Sequence, residues 1–150
     1  MDSKFILCLI ASLIGGVLLA MQTGMNTQLK LWTGHTLWAA VASFVVGLGL
    51  LLITLVAMRV PLPSLSGLAQ APWWSWLGGL MGALFVSMVI IVAPRLGAAT
   101  MIACVVAGQL IGTLLIDHWG LMGLPVHEFS VARLAGAGML LGGVVLVKAG

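Results

Sequence analysis

Residues 94–120, PRLGAATMIACVVAGQLIGTLLIDHWG, decide how the rest of the chain is read. The stretch opens on a breaker and a charge, Pro94-Arg95. It then runs uncharged for about twenty residues, enough for one bilayer crossing, and closes on Asp117-His118-Trp119-Gly120. Gln109 falls near the middle, with Gly108 beside it and Gly112 three residues on. An unmatched amide at that depth costs roughly several kcal/mol, so it needs a partner from another helix or from something passing through. Two roles fit Gln109: glue between helices, and lining of a substrate path. Neither excludes the other. Gly108 and Gly112 let a neighbouring backbone come close.

Composition places the whole chain in the same solvent. Hydrophobic residues make up 62% of the 150 and charged residues only 6%, with a mean hydropathy of +1.25. A soluble domain carries about 25% charge, so lipid must cover this surface. The net charge of +3 is scattered and forms no basic patch for nucleic acid. Cys8 and Cys104 lie inside apolar runs and read as packing residues rather than a disulfide or a metal site. There is no Tyr, and the six Trp fall mostly near the ends of apolar segments, the interfacial pattern.

The resulting expectation is an all-α integral membrane protein with five crossings, at residues 5–25, 36–58, 73–93, 96–116 and 130–147. Period-two alternation is absent, which argues against a β-barrel. The N-terminal run has the basic flank (Lys4) and apolar core of a secretory signal. Cleavage after Ala20 would want a small residue at position 18, which is Leu, so an uncleaved first crossing is expected. Residues 27–35 are read as a loop. Residues 59–72, with three prolines, are read as a surface loop with a short interfacial turn. Pro94-Arg95 is read as a tight link making a hairpin of the third and fourth crossings, and residues 118–129 join the last pair. No linker is long enough to separate domains, so residues 1–150 form one transmembrane domain on this reading.

Small residues recur every four positions, as in Ser12-Gly16-Ala20-Gly24, Ala39-Ser43-Gly47, Gly79-Ala83-Ser87, Ala99-Ala103-Ala107 and Gly138-Gly142. Residues four apart share a helix face, so these are tracks for close helix packing.

Five crossings place Lys4, Arg59 and Arg133 on one side and Lys30, Arg95 and Lys148 on the other. An excess of Lys/Arg normally fixes orientation, and here the tally is even. The expectation is dual topology: the chain inserts both ways and two copies pair antiparallel. Ten helices about an in-plane two-fold axis is the inverted-repeat arrangement of many transporters, with the site near the midplane.

The groups that could carry chemistry are few. Gln22 and Asn26, four apart near the end of the first crossing, can offer donors and acceptors to a polar ligand. They are also ordinary residues for a helix end entering the headgroups. Ser43, Ser87 and Thr100 are expected to bond their own helix backbone. No acid lies mid-membrane, which speaks against proton-coupled export of cations. Asp117 and His118 are the candidate protonation pair, against the plainer reading of a solvated helix end, and His127-Glu128 reads the same way. Arg95 reads as an interface anchor. No nucleophile, base and acid come together, so no enzyme activity and no cofactor are expected.

The tracts QTGMNTQLKLWTGHTLWAAVASFVVG, WWSWLGGLMGALFV, APRLGAATMIACVVAGQLIGTLLIDHWGLMGLP and RLAGAGMLLGGVVLV give the chain a likeness that covers nearly its full length. It resembles the YdcZ-type family of the drug/metabolite transporter superfamily. The marks most specific to that resemblance are Gln22 with Asn26, Ser43-Phe44 with Gly47, Trp73-Trp74 with Gly78-Gly79, Arg95-Leu96-Gly97, Gly108-Gln109 and Asp117. The resemblance implies a half-sized, five-helix unit of the inner membrane; larger relatives carry ten helices as two inverted halves. It supplies architecture better than a ligand. The chain lacks the first-helix glutamate of the four-helix multidrug members, which weakens a cationic-drug reading.

The functional expectation is a transporter of a small polar or anionic metabolite, working in membrane lipid as an antiparallel homodimer. Gln22, Asn26, Ser43 and Gln109 would line its path, with Trp38 and Trp73 as walls. The alternatives are a passive channel of the same dimer form and a non-transporting subunit of a heteromeric complex. The even charge tally argues against the last, because partners of opposite orientation should each show a bias.

Overall fold

The computed structural model describes residues 3–149, and every regular element among them is helical. The order is α1 (Ser3–Thr33), α2 (Thr36–Ala57), a short α3 (Leu65–Gln70), a 3-10 turn (Trp73–Leu77) running into α4 (Gly78–Leu96), then α5 (Ala98–Trp119) and α6 (Val131–Ala149). Five segments are long and apolar enough to cross a bilayer: α1, α2, Trp73–Leu96, α5 and α6. These are the five expected crossings.

The boundaries differ in two instructive places. α1 continues through the polar run read as a loop and reaches 31 residues, roughly 46 Å at the helical rise. That run holds no proline, and polarity alone does not stop a helix. Within it Thr33 Oγ1 donates to the Leu29 carbonyl, and just before it Thr23 Oγ1 donates to the Leu19 carbonyl, both at 3.0 Å. The stop is Gly34 at φ 72°, whose N–H donates to the Lys30 carbonyl at 2.9 Å; a left-handed residue just past the helix is the usual glycine cap. His35 then caps α2, its Nδ1 accepting from the Leu37 N–H at 3.2 Å.

The second difference is at Pro94. It sits inside the last turn of α4 rather than ending it. Proline there forgoes one hydrogen bond but keeps a helical φ. The break falls three residues later at Gly97, φ 79° and ψ 149°, a region that is essentially glycine's alone. Gly97 is the single residue between α4 and α5.

The short turn expected in the loop after α2 is present as α3, capped by the Ser64 hydroxyl, which accepts from the Gly67 N–H. At the start of the 3-10 turn the Ser75 hydroxyl donates to the Pro72 carbonyl.

The chain divides into two compact units, the first reaching Arg95 and the second starting at Leu96. In the first, Ala39 and Ala40 of α2 and Val86 and Ile90 of α4 form a buried cluster, with Leu29 of α1 and Phe85 packed against it. Gly82 faces the Phe44 ring, where an added Cβ would lie in ordinary contact at 3.7 Å. In the second, α5 packs on α6, and the connection between them folds back on the end of α5. Gly120, at φ 59°, closes α5, and the His127 N–H donates to the Asp117 carbonyl at 2.9 Å. A side chain at Gly120 would meet Val126 Cγ2 at 2.7 Å.

The small-residue tracks are mostly open. A Cβ added at Gly16, Gly24, Gly47, Gly78, Gly79, Gly108, Gly112, Gly138 or Gly142 would meet nothing within 4 Å. Ala39 and Ala107, by contrast, are the buried members of their tracks.

Candidate functional site

The polar residues on α1 form a graded strip. Thr23 and Asn26 are 3% and 5% exposed, three apart and so on one face. Thr23 satisfies its hydroxyl on the Leu19 carbonyl. The Asn26 amide makes no hydrogen bond among the described residues, and Thr27 Oγ1 is wholly buried without a partner. Gln22, expected to pair with Asn26 as a ligand-facing couple, is exposed. The buried residues beside Asn26 are therefore threonines, which the sequence reading passed over. The signal for Thr23 is its place in the expected first crossing, three residues before Asn26 and so on the same helix face.

Trp38 lines a shallow groove of about 430 Å³ with His35, Leu37 and Val41. Trp73, at the start of the 3-10 turn, is exposed. Ser43 is half-buried. Among the described residues, Ser43, Ser87 and Thr100 make no bond to their helix backbone, whereas the hydroxyls of Ser12, Thr23, Thr33, Thr54 and Thr113 do.

Gln109 belongs to the second unit. It sits at the middle of α5, exposed, and its side chain has no partner among the described residues. Its backbone carbonyl accepts from Thr113 Oγ1 at 2.8 Å.

Asp117 and His118 take different partners. The Asp117 carboxylate lies 3.5 Å from the Arg133 guanidinium. The His118 ring stacks on Phe129, with centroids 4.1 Å apart and planes 14° from parallel, and its Nδ1 is buried without a partner. Arg133 follows the cap of α6, where the Ser130 hydroxyl accepts from the Arg133 N–H at 3.2 Å. The ion pair joins two residues sixteen apart at the facing ends of consecutive crossings. The tally of charges by side placed Arg133 with Lys4 and Arg59 and did not join it to Asp117.

Five apolar helices of spanning length define a multi-pass α-helical protein of the inner membrane. The family described as "Putative inner membrane exporter, YdcZ" matches residues 7–146, and the chain belongs to that family. It is 40% identical over 75 residues to the inner membrane protein YdcZ of Escherichia coli (strain K12). That match covers 50% of this chain and 50% of the relative, so the chain matches half of that relative's length. No solved structure matches the chain significantly. Membership in an exporter family points to transport rather than to enzyme chemistry.

Proposed function

We propose that the chain is one half of a transporter that moves a small polar or anionic metabolite by alternating access, as an antiparallel homodimer of dual topology. The observation that carries this reading is the unmet polarity around Asn26. In a chain this apolar, Asn26, a residue 5% exposed, has an amide with no hydrogen bond among the described residues, and beside it the Thr27 hydroxyl is buried without a partner. Buried polar groups are nearly always satisfied, and an exception calls for a partner from outside the chain. Gln109, exposed at mid-helix, asks for the same on α5. A polar substrate between two copies would answer both.

On this reading Gln22, Asn26 and Gln109 bind the substrate, Ser43 lies along its path, and Trp38 and Trp73 form walls. Asp117 and His118, at the end of α5, are the candidate protonation pair. The open glycine tracks supply the surface for the second copy, and the even charge tally lets that copy insert the other way round. Rocking of the two halves would expose the site to each side in turn.

The test is countertransport in liposomes reconstituted with the purified protein and preloaded with a panel of radiolabelled polar and anionic metabolites. Accelerated efflux on adding the same solute outside, lost in Asn26→Leu, is expected. Flux that neither saturates nor exchanges would make the dimer a passive channel instead.

A further inference from the structure

A second polar feature lies within the α5–α6 unit. Leu110, Thr113, Leu114 and Asp117 on α5 face Arg133, Gly136 and Ala137 on α6 across an open cleft of about 390 Å³. The spacings, 110-113-114-117 and 133-136-137, are those of single helix faces. The cleft reaches from the ion pair about two turns along α5, roughly 10 Å. Its volume is in the range that holds a small metabolite, about 300–1,000 Å³. It is apolar except at one end, where Asp117 and Arg133 are about a third exposed, 33% and 38%.

The two charges are at the wrong ends of their helices. Asp117 is in the last turn of α5 and Arg133 in the first turn of α6, where each opposes its helix dipole. Lys30, Arg95 and Lys148 stand in last turns, where a cation is favoured. The pair is partly wet, and an exposed pair of this kind is worth little, so an incoming anion has little to overcome. Thr113 donates its proton to backbone carbonyls, so its oxygen offers no donor to an anion. That leaves Arg133 as the cleft's cationic donor.

We propose that this cleft binds a small organic anion. The carboxylate or phosphate oxygens of the ligand take the Arg133 guanidinium from Asp117, and its apolar body lies along Leu110, Leu114 and Ala137. A guanidinium matches such a group with two parallel N–H donors. Asp117 is then the competitor that the anion displaces. The site goes beyond the amide path on α1 and the middle of α5, and its readout is binding rather than transport. Failure of either reading is therefore seen separately.

The experiment is calorimetric titration of the purified full-length protein, in phosphatidylcholine nanodiscs, with benzoate as the probe. Saturable binding is expected. Arg133→Gln should abolish it, and Arg133→Lys should retain it within about tenfold, since the charge remains while the fork geometry is lost. Asp117→Asn should tighten it about two- to fivefold, the factor by which a half-exposed ion pair competes. A purely structural pair predicts instead that Asp117→Asn and Arg133→Gln act alike. Absence of saturable binding by the unaltered protein, or binding unchanged or weakened in a folded Asp117→Asn variant, would overturn the proposal. Should Asp117→Asn fail to fold by circular dichroism, loss of benzoate in a folded Arg133→Lys variant would overturn it equally, and retention would support it. Repeating the titration with phosphatidylglycerol in the nanodisc separates two sources of the same chemistry. Unchanged benzoate affinity assigns the site to a soluble anion, and competition assigns it to a lipid phosphate.

Discussion

Asp117 and Arg133 meet at 3.5 Å across the facing ends of α5 and α6, each at the helix terminus that repels its charge. Helix dipoles act on a charge in the terminal turn by about 0.3–1 kcal/mol, comparable with what a partly exposed ion pair returns. Exchanging the two, Asp117→Arg with Arg133→Asp, keeps the pair and reverses both dipole interactions. The backbone bonds that close this end, His127 N–H to the Asp117 carbonyl and Arg133 N–H to Ser130, do not use either side chain. The exchanged protein should therefore melt higher, by an amount worth about 1 kcal/mol. A lower melting temperature in a fluorescence-monitored unfolding scan would contradict the dipole argument.

Thr27 offers a separation of stability from function. Its hydroxyl is buried and unpaired, a condition that costs about 1–3 kcal/mol when nothing answers it. Thr27→Val removes the hydroxyl and keeps the shape. The variant should be as stable as the parent or up to about 2 kcal/mol more so, while its transport falls if the hydroxyl meets substrate. A clear loss of stability would show that the hydroxyl is satisfied in the membrane by something other than substrate.

Gln109→Leu should leave the chain folded, because its side chain makes no hydrogen bond among the described residues. Helix content by circular dichroism should be unchanged and transport in liposomes should be lost. Normal transport by the folded variant would remove Gln109 from the substrate path.

Gly34, Gly97, Gly120 and Gly123 hold a positive φ, and two of them, Gly97 and Gly120, offer direct tests. Gly97→Ala places a side chain where φ is 79° and ψ 149°, at a cost of about 1–3 kcal/mol. Gly120→Ala meets both a positive φ and the Val126 methyl at 2.7 Å. Both variants should lose stability. Gly108→Ala and Gly138→Ala meet nothing in the chain and gain helix propensity, so the isolated chain should tolerate them. Where such a variant lowers the dimer fraction in crosslinking without lowering helix content, the open track is a contact between copies. If Gly97→Ala is neutral in thermal unfolding, the account of the α4–α5 break is wrong.

The number and order of crossings were legible because lipid sets a length and a polarity that few other contexts demand. Each spanning segment declares itself without reference to its neighbours. What was not legible came from local chemistry that hydropathy does not measure. α1 runs on through Gln22 to Thr33 because threonines can bond their own helix carbonyls, so a polar run resembles a loop only by composition. Pro94 read as a breaker, yet α4 runs through it to Leu96, and the backbone instead breaks where Gly97 permits a conformation closed to other residues. For the site, the residue types were visible and their burial was not. Asn26 is enclosed while Gln22, one turn earlier, is exposed, and no spacing rule distinguishes them. The Asp117–Arg133 pair needed knowledge that residues 120–130 fold back over the end of α5, bringing the two helix ends together.

The antiparallel dimer rests on the chain inserting in both orientations, and this can be measured directly. Cys8 and Cys104, both exposed, are replaced by alanine, and one cysteine is added after Gly150. Intact cells are labelled with a membrane-impermeant thiol reagent, and then again after opening. Labelling of about half the copies from outside is the predicted result, since an even distribution of Lys and Arg gives neither orientation the advantage. Labelling of all copies from one side only would contradict it. The homodimer would then have to be parallel or the partner a different chain, and the amides of α1 and α5 would not face one another across a two-fold axis in the membrane plane.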